Sequence, residues 1–186
     1  IERTKLLMRQ AELCAHKLDD VTAAIDAYER VLEEAPSHEV FDVLEALYAR
    51  AERWVDLGGM YERQMDLHVG DPVLIRYKLA ELLRTHLHDS ERALELLSDV
   101  LDRSPTHEDA TRSLENLMSE PTYRARAAEL LEPVYLKKSR WPELTKSLEA
   151  QLEAEDNIER KKDLLGRLAQ LHEVQLEDLD SALETY

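Results

Sequence analysis

The stretch AELCAHKLDDVTAAIDAYERVLEEAPSHE, Ala11 to Glu39, returns 69 positions later as AELLRTHLHDSERALELLSDVLDRSPTHE, Ala80 to Glu108. Ala11/Ala80, Leu13/Leu82, Leu18/Leu87, Asp20/Asp89, Ala24/Ala93, Val31/Val100, Leu32/Leu101, Pro36/Pro105 and His38/His107 are identical pairs. Agreement at one fixed offset marks a stacked repeat, in which no unit buries its apolar face alone and each leans on its neighbours. The shared letters are the kinds that packing and turning require, so they define a fold before they define a function.

Working outward, apolar residues recur at helical spacing from Thr4 to Leu18 and again from Ala24 to Leu32. Asp20 is placed to cap the second helix, Pro36 to stop it, and Ser37 to cap the next. A second unit runs through Phe41, Leu44 and Tyr48, turns at Glu52-Arg53, and enters a helix led by Trp54. Gly58-Gly59 inside that helix costs on the order of 1 kcal/mol per glycine, which close approach of a neighbouring helix would offset. Gly70-Asp71-Pro72 ends the unit as C-cap, N-cap and first helical residue.

The fourth unit departs from the plan. Its first helix breaks at Ser119-Glu120-Pro121, and a further helix, with Pro133 expected to kink it, is predicted from Tyr123 to about Lys138. The second unit's pattern returns at an offset of 87, with Tyr48/Tyr135, Arg53/Arg140, Trp54/Trp141, Leu57/Leu144, Glu62/Glu149 and Gln64/Gln151. A fifth unit repeats the first at 158, through Leu6/Leu164, Ala11/Ala169 and Ala24/Ala182. The expected units are 4–36, 37–70, 71–106, 107–157 and 158–186, giving an all-α chain of about eleven helices. Because the chain opens and closes inside helical patterns, it is expected to be an excerpt of a longer protein.

The chain of 186 residues carries 40 acidic against 24 basic side chains, a net charge of -16. That balance argues against a general nucleic-acid or anionic-membrane binder, which needs a cationic footprint, and makes a basic partner the easier fit. No apolar run approaches the ~20 residues that span a bilayer, and a cytoplasmic setting is the expectation. The single Cys14 allows no internal disulfide or multi-cysteine metal site, and its counterparts Leu83 and His172 place it as a core thiol.

The unit of about 34 residues, with Ala24, Tyr28 and Pro36 at a small, an aromatic and an exit-proline position, resembles the tetratricopeptide repeat. The bulky positions Phe41, Leu44, Tyr48 and Tyr61 fit the same pattern. Ala11, Ala80 and Ala169 stand where the pattern has glycine, and one extra residue lengthens the turn before Asp20. The resemblance implies a right-handed superhelix of antiparallel helix pairs whose first helices line a concave groove. By that resemblance the groove positions are Lys5, Met8, Glu12 and His16, then Glu39, Asp42 and Arg50, then Tyr77, Glu81 and Arg84. They would receive another protein as an extended peptide or a partner helix.

No catalytic motif and no cofactor site is legible. His86 and His88 are two apart on a helix and point about 200° away from one another, so they do not converge on a metal. Matching turns give His38 and His107 a shared structural role, and Trp54 and Trp141, leading equivalent helices, read as packing residues. One contrast stands out: Arg124, Arg126, Lys137, Lys138, Arg140 and Lys146 face three glutamates between residues 121 and 146. This basic patch would suit an acidic partner or self-association with another copy's acidic face. The function implied is a non-catalytic protein-protein interaction scaffold. The alternatives are a structural spacer or oligomerisation segment, and a regulatory arm of a larger multidomain protein.

Overall fold

The computed structural model describes Glu2–Leu13 and residues 20–185, with side chains from Leu6 onward. Cys14, His16 and Leu18 lie outside the described residues, as does the side chain of Lys5. Eleven α-helices and no strand occur among the described residues. The chain forms two compact units, Ile1–Asp89 and Ser90–Tyr186.

The first unit holds α1 (Glu2–Leu13), α2 (Val21–Glu34), α3 (His38–Arg50), α4 (Trp54–Asp66) and α5 (Pro72–Leu82), which continues as a π-helical turn, Leu83–Leu87. Local chemistry sets these boundaries. The Asp20 carboxylate accepts from the Ala23 N–H (3.0 Å) and that of Asp71 from the Val73 N–H (2.8 Å), with Pro72 opening α5. Gly70 has φ +91°, a conformation that a side chain would strain. Ser37 sits at the N-cap of α3 without capping it. Its hydroxyl serves Glu39, whose carboxyl is held below its usual range by its own backbone N–H first and by Ser37 second.

Successive helices pack on one another within this unit. Alanines set the approach: Ala11, Ala24 and Ala80 expose no surface, and Ile25, Phe41, Leu44 and Leu79 fill the space around them. Gly58 is buried against Leu79, Leu82 and Leu87, yet a Cβ there would stand 3.6 Å from Leu82, an ordinary contact. Gly59 is exposed with nothing near it, so close approach does not account for that glycine.

The second unit holds α6 (Ser90–Arg103), α7 (Glu108–Met118), α8 (Arg124–Lys138), α9 (Trp141–Ala154), α10 (Ile158–Val174) and α11 (Leu179–Thr185). The break at Ser119 and the helix ending at Lys138 fall where the sequence puts them. Pro133 is on the exposed side of α8, and the helix is continuous through it. In its core Ala93, Ala110, Ala127, Ala128 and Ala169 expose nothing, with Leu94, Leu97, Leu114 and Leu131 between them. The identical histidines His38 and His107 take different roles. His107 Nδ1 caps α7 by accepting from the Ala110 N–H (3.1 Å), whereas His38, already inside α3, turns to Asp42 (2.7 Å).

The turns repeat as well as the helices. Glu52 and Ser139, 87 apart, both have left-handed backbone, as do His88 and Glu177. None is glycine, so each turn carries a conformational cost of about 1 kcal/mol that the flanking packing holds in place. Gly59→Ala replaces a poor helix former where there is open space. It should raise stability by about 0.5–1 kcal/mol, seen as a higher urea midpoint; an unchanged or lower midpoint would show that Gly59 has a packing role.

Candidate functional site

The fold is a tetratricopeptide-like helical repeat: helices of similar length joined by short turns, with fully buried alanines such as Ala24, which Tyr28 follows four residues on. Its side-chain chemistry concentrates at three places: the corners between helices, the outward faces of α3 and α5, and the basic stretch of α8 and α9.

The corners are built twice. Tyr48, at the end of α3, donates its hydroxyl to Glu29 of α2. Arg53 covers the Tyr48 ring at 5.4 Å and bonds Asp56 at 2.7 Å. In the second unit the Tyr135 hydroxyl donates to Glu115 of α7 (3.0 Å), and Arg140 covers the Tyr135 ring at 5.0 Å while bonding Glu115 (3.1 Å) and Glu143 (2.7 Å). The helix that breaks the regular alternation is therefore α7 when judged by contacts, because α8 does to α7 what α3 does to α2. Burial first, then the neighbouring glutamate, pushes the pKa of both tyrosines upward.

A second polar link also recurs. Glu45 of α3 takes both oxygens to Lys78 of α5 (2.9 and 2.8 Å), and the Tyr61 hydroxyl, its pKa raised by burial and by Glu45, bonds it from α4. Glu132, 87 residues after Glu45, accepts from Gln151 of α9 (2.9 Å) and pairs with Arg167 of α10. Neither Glu45 nor Glu132 stands out as a site residue in the sequence; their 87-residue separation was the available signal.

The groove positions expected in the first unit lie on α1, α3 and α5. Met8 is half-buried, and Glu12 pairs with Arg9 at 3.1 Å. Glu39, Asp42 and Arg50 are exposed along α3, with Asp42 held by His38. On α5 Tyr77 is half-buried, and Arg84, on the π-helical turn that follows, binds Glu81 through two nitrogens (3.3 and 2.8 Å). Most ties run along one helix, and the link that draws α3 and α5 together is Glu45–Lys78, outside the expected set. His86 stacks on Trp54, with ring centroids 3.8 Å apart and planes at 18°.

Half of the basic patch is occupied by intramolecular pairs. Arg124 meets Glu153 (3.4 Å), Lys138 meets Glu108 (2.6 Å), and Arg140 meets Glu115 and Glu143. Lys138 in turn holds the Glu108 carboxyl below its usual range, and Arg140 does the same for Glu143. Arg126, Lys137 and Lys146 are exposed and have no ion-pair partner among the described residues. Among the described residues no group of three or more metal-ligating side chains comes together, and no helix is long and apolar enough to cross a membrane.

No protein-family model and no curated protein matches the chain. Among solved structures it is similar to a tetratricopeptide repeat protein from Parabacteroides merdae, with 16% identity and a TM-score of 0.49 over 100% of this chain and 78% of that one. It is also similar to residues 41 to the end of MamA from Desulfovibrio magneticus RS-1, with 14% identity and a TM-score of 0.45 over 100% and 92%. At these scores the likenesses stand beside the helix pattern without adding to it.

The corners can be tested by titration. Tyr48 and Tyr135 hold their protons more tightly in the folded chain, so their contribution to stability is full below the free-tyrosine value near pH 10. It is lost as pH rises through the raised folded value. Tyr135→Phe should cost about 1.5 kcal/mol at neutral pH through the lost bond to a carboxylate and should flatten the alkaline fall in urea stability; an alkaline limb identical to wild type would remove Tyr135 from this role.

Proposed function

We propose that the chain is a non-catalytic protein-interaction scaffold whose first unit receives a peptide or partner helix across the outward faces of α3 and α5. The observation that carries this reading is the Glu45–Lys78 bridge, which ties the two helices side by side with about a third of each side chain still exposed, 29% and 33%. Around it lie the small Ala46 and Ala49, the exposed Asp42 and Arg50, and the half-buried Tyr77 with the Glu81–Arg84 pair. Small residues let another backbone approach, a partly buried tyrosine gives a contact point of the kind that dominates interfaces, and paired charges of both signs select register.

The acidic balance of the chain favours a basic partner. A spacer role is the competing reading, and the cross-helix pairs Lys138–Glu108 and Arg124–Glu153 favour it, since they commit charges to holding helices together. The two separate in a capture experiment with the chain as bait. A partner retained by wild type should be lost, by about tenfold or more in affinity, on Tyr77→Ala with Arg84→Ala, an effect of the size expected for an interface anchor. Circular dichroism should remain unchanged. Capture unaffected by both substitutions would leave the spacer reading standing.

A further inference from the structure

In the second unit α6 and α8 form the two walls of an open cleft of about 320 Å³, with the buried Leu101 and Val134 beneath and the exposed Pro105 and Pro133 at its rim. The charged side chains that line it are Asp102, Glu129 and Lys137. All three are exposed, and none has an ion-pair partner among the described residues. Each wall continues as a stripe along its helix. On α6 Glu91, Glu95, Ser98 and Asp102 follow at i, i+4, i+7 and i+11, and on α8 Arg126, Leu130, Pro133 and Lys137 do the same. That spacing keeps the four side chains of a stripe within about 60° of one another around the helix axis. Glu91, Glu95 and Arg126 are likewise exposed and without an ion-pair partner among the described residues. The basic residues of α6, Arg92 and Arg103, lie off its stripe.

One wall is therefore wholly acidic, and the other carries two cations. Glu129 lies to one side of the α8 stripe and leaves that wall with an excess of one positive charge. A partner of a single sign would be drawn to one wall and repelled by the other. The occupant that satisfies both presents acid and base side by side at the same spacing, and this pair of helices is itself such a surface. We infer that the α6–α8 face binds a second copy of the chain in a two-fold dimer, α6 of each copy lying antiparallel on α8 of the other.

The antiparallel register sets Asp102 of one copy beside Arg126 of the other and Glu91 beside Lys137. Two-fold symmetry makes each of these contacts twice. Between the charged ends Ser98 meets Leu130 over the apolar floor of the cleft, which gives the contact an apolar centre and a polar rim. The two chains each carry a net charge of -16. That repulsion is spread over the whole surface and is screened beyond about 8 Å at physiological salt, whereas the facing pairs act at contact distance. The face belongs to the second unit and does not depend on the α3–α5 reading of the first.

The test is sedimentation equilibrium of the full 186-residue chain at physiological salt, up to about 1 mM protein. Wild type should dimerise reversibly. Glu95→Lys with Asp102→Lys reverses the α6 wall, and Arg126→Glu with Lys137→Glu reverses the α8 wall. Each pair alone should weaken the dimer by about tenfold or more, because exposed ion pairs are individually weak but each is lost twice and replaced by repulsion. Mixing the two variants should restore wild-type affinity, since the reversed α6 then meets the reversed α8 and the remaining contact is native. Helix content by circular dichroism should match wild type. Glu95→Gln with Asp102→Asn keeps the side-chain shapes, should weaken the dimer by a smaller factor, and serves where a reversal alters folding. A wild type that stays monomeric up to about 1 mM, which leaves the face to a different partner, would overturn the assignment. So would a dimer indifferent to all these substitutions, or folded variants that fail to associate when mixed.

Discussion

Everything in this chain rests on how closely two helices can approach at their crossing. Alanines with no exposed surface, Ala11, Ala24, Ala80, Ala93 and Ala169 among them, bring the backbones near enough for flanking leucines to interlock. A larger residue there would push the pair apart and open the space around Ile25, Phe41 or Leu94, where a lost methylene is felt. Because helices cover one another in succession, this one requirement passes from crossing to crossing.

The corner clasps show how the fold absorbs an irregularity. Tyr48 with Glu29 and Arg53 fastens α3 to α2; Tyr135 with Glu115 and Arg140 fastens α8 to α7. The added helix is accommodated because it offers α8 a glutamate in the place that α2 offers α3. Each clasp satisfies a buried hydroxyl with an acid and the acid's surroundings with an arginine, a combination that would be costly if any member were removed alone. A helix inserted without that glutamate would leave Tyr135, which is 2% exposed, with a buried hydroxyl to satisfy elsewhere.

The repeat periods, the helix boundaries at Asp20, Asp71 and Pro72, and the core positions were legible because caps and apolar periodicity act over a few residues. The candidate site was legible only in outline. Identical letters misled at His38 and His107, since one lies inside its helix and the other just before its helix. Trp54 lies flat against His86, which is carried by another helical turn whose register the sequence does not display. Glu45 and Lys78 looked like ordinary surface charges. Their meaning depends on α3 and α5 lying side by side, a relation between helices and not within one.

Within each unit the main contacts join helices that are neighbours in the chain. That locality governs the way the molecule reaches its structure. Closing short loops costs little entropy, and chains dominated by near-neighbour contacts are the fast folders. A helix pair such as α8 and α9 can form early and serve as a template for the helices beside it, and damage to one crossing would melt outward from that point rather than everywhere at once. The order in which the helices assemble is then a property of individual crossings, open to change one alanine at a time.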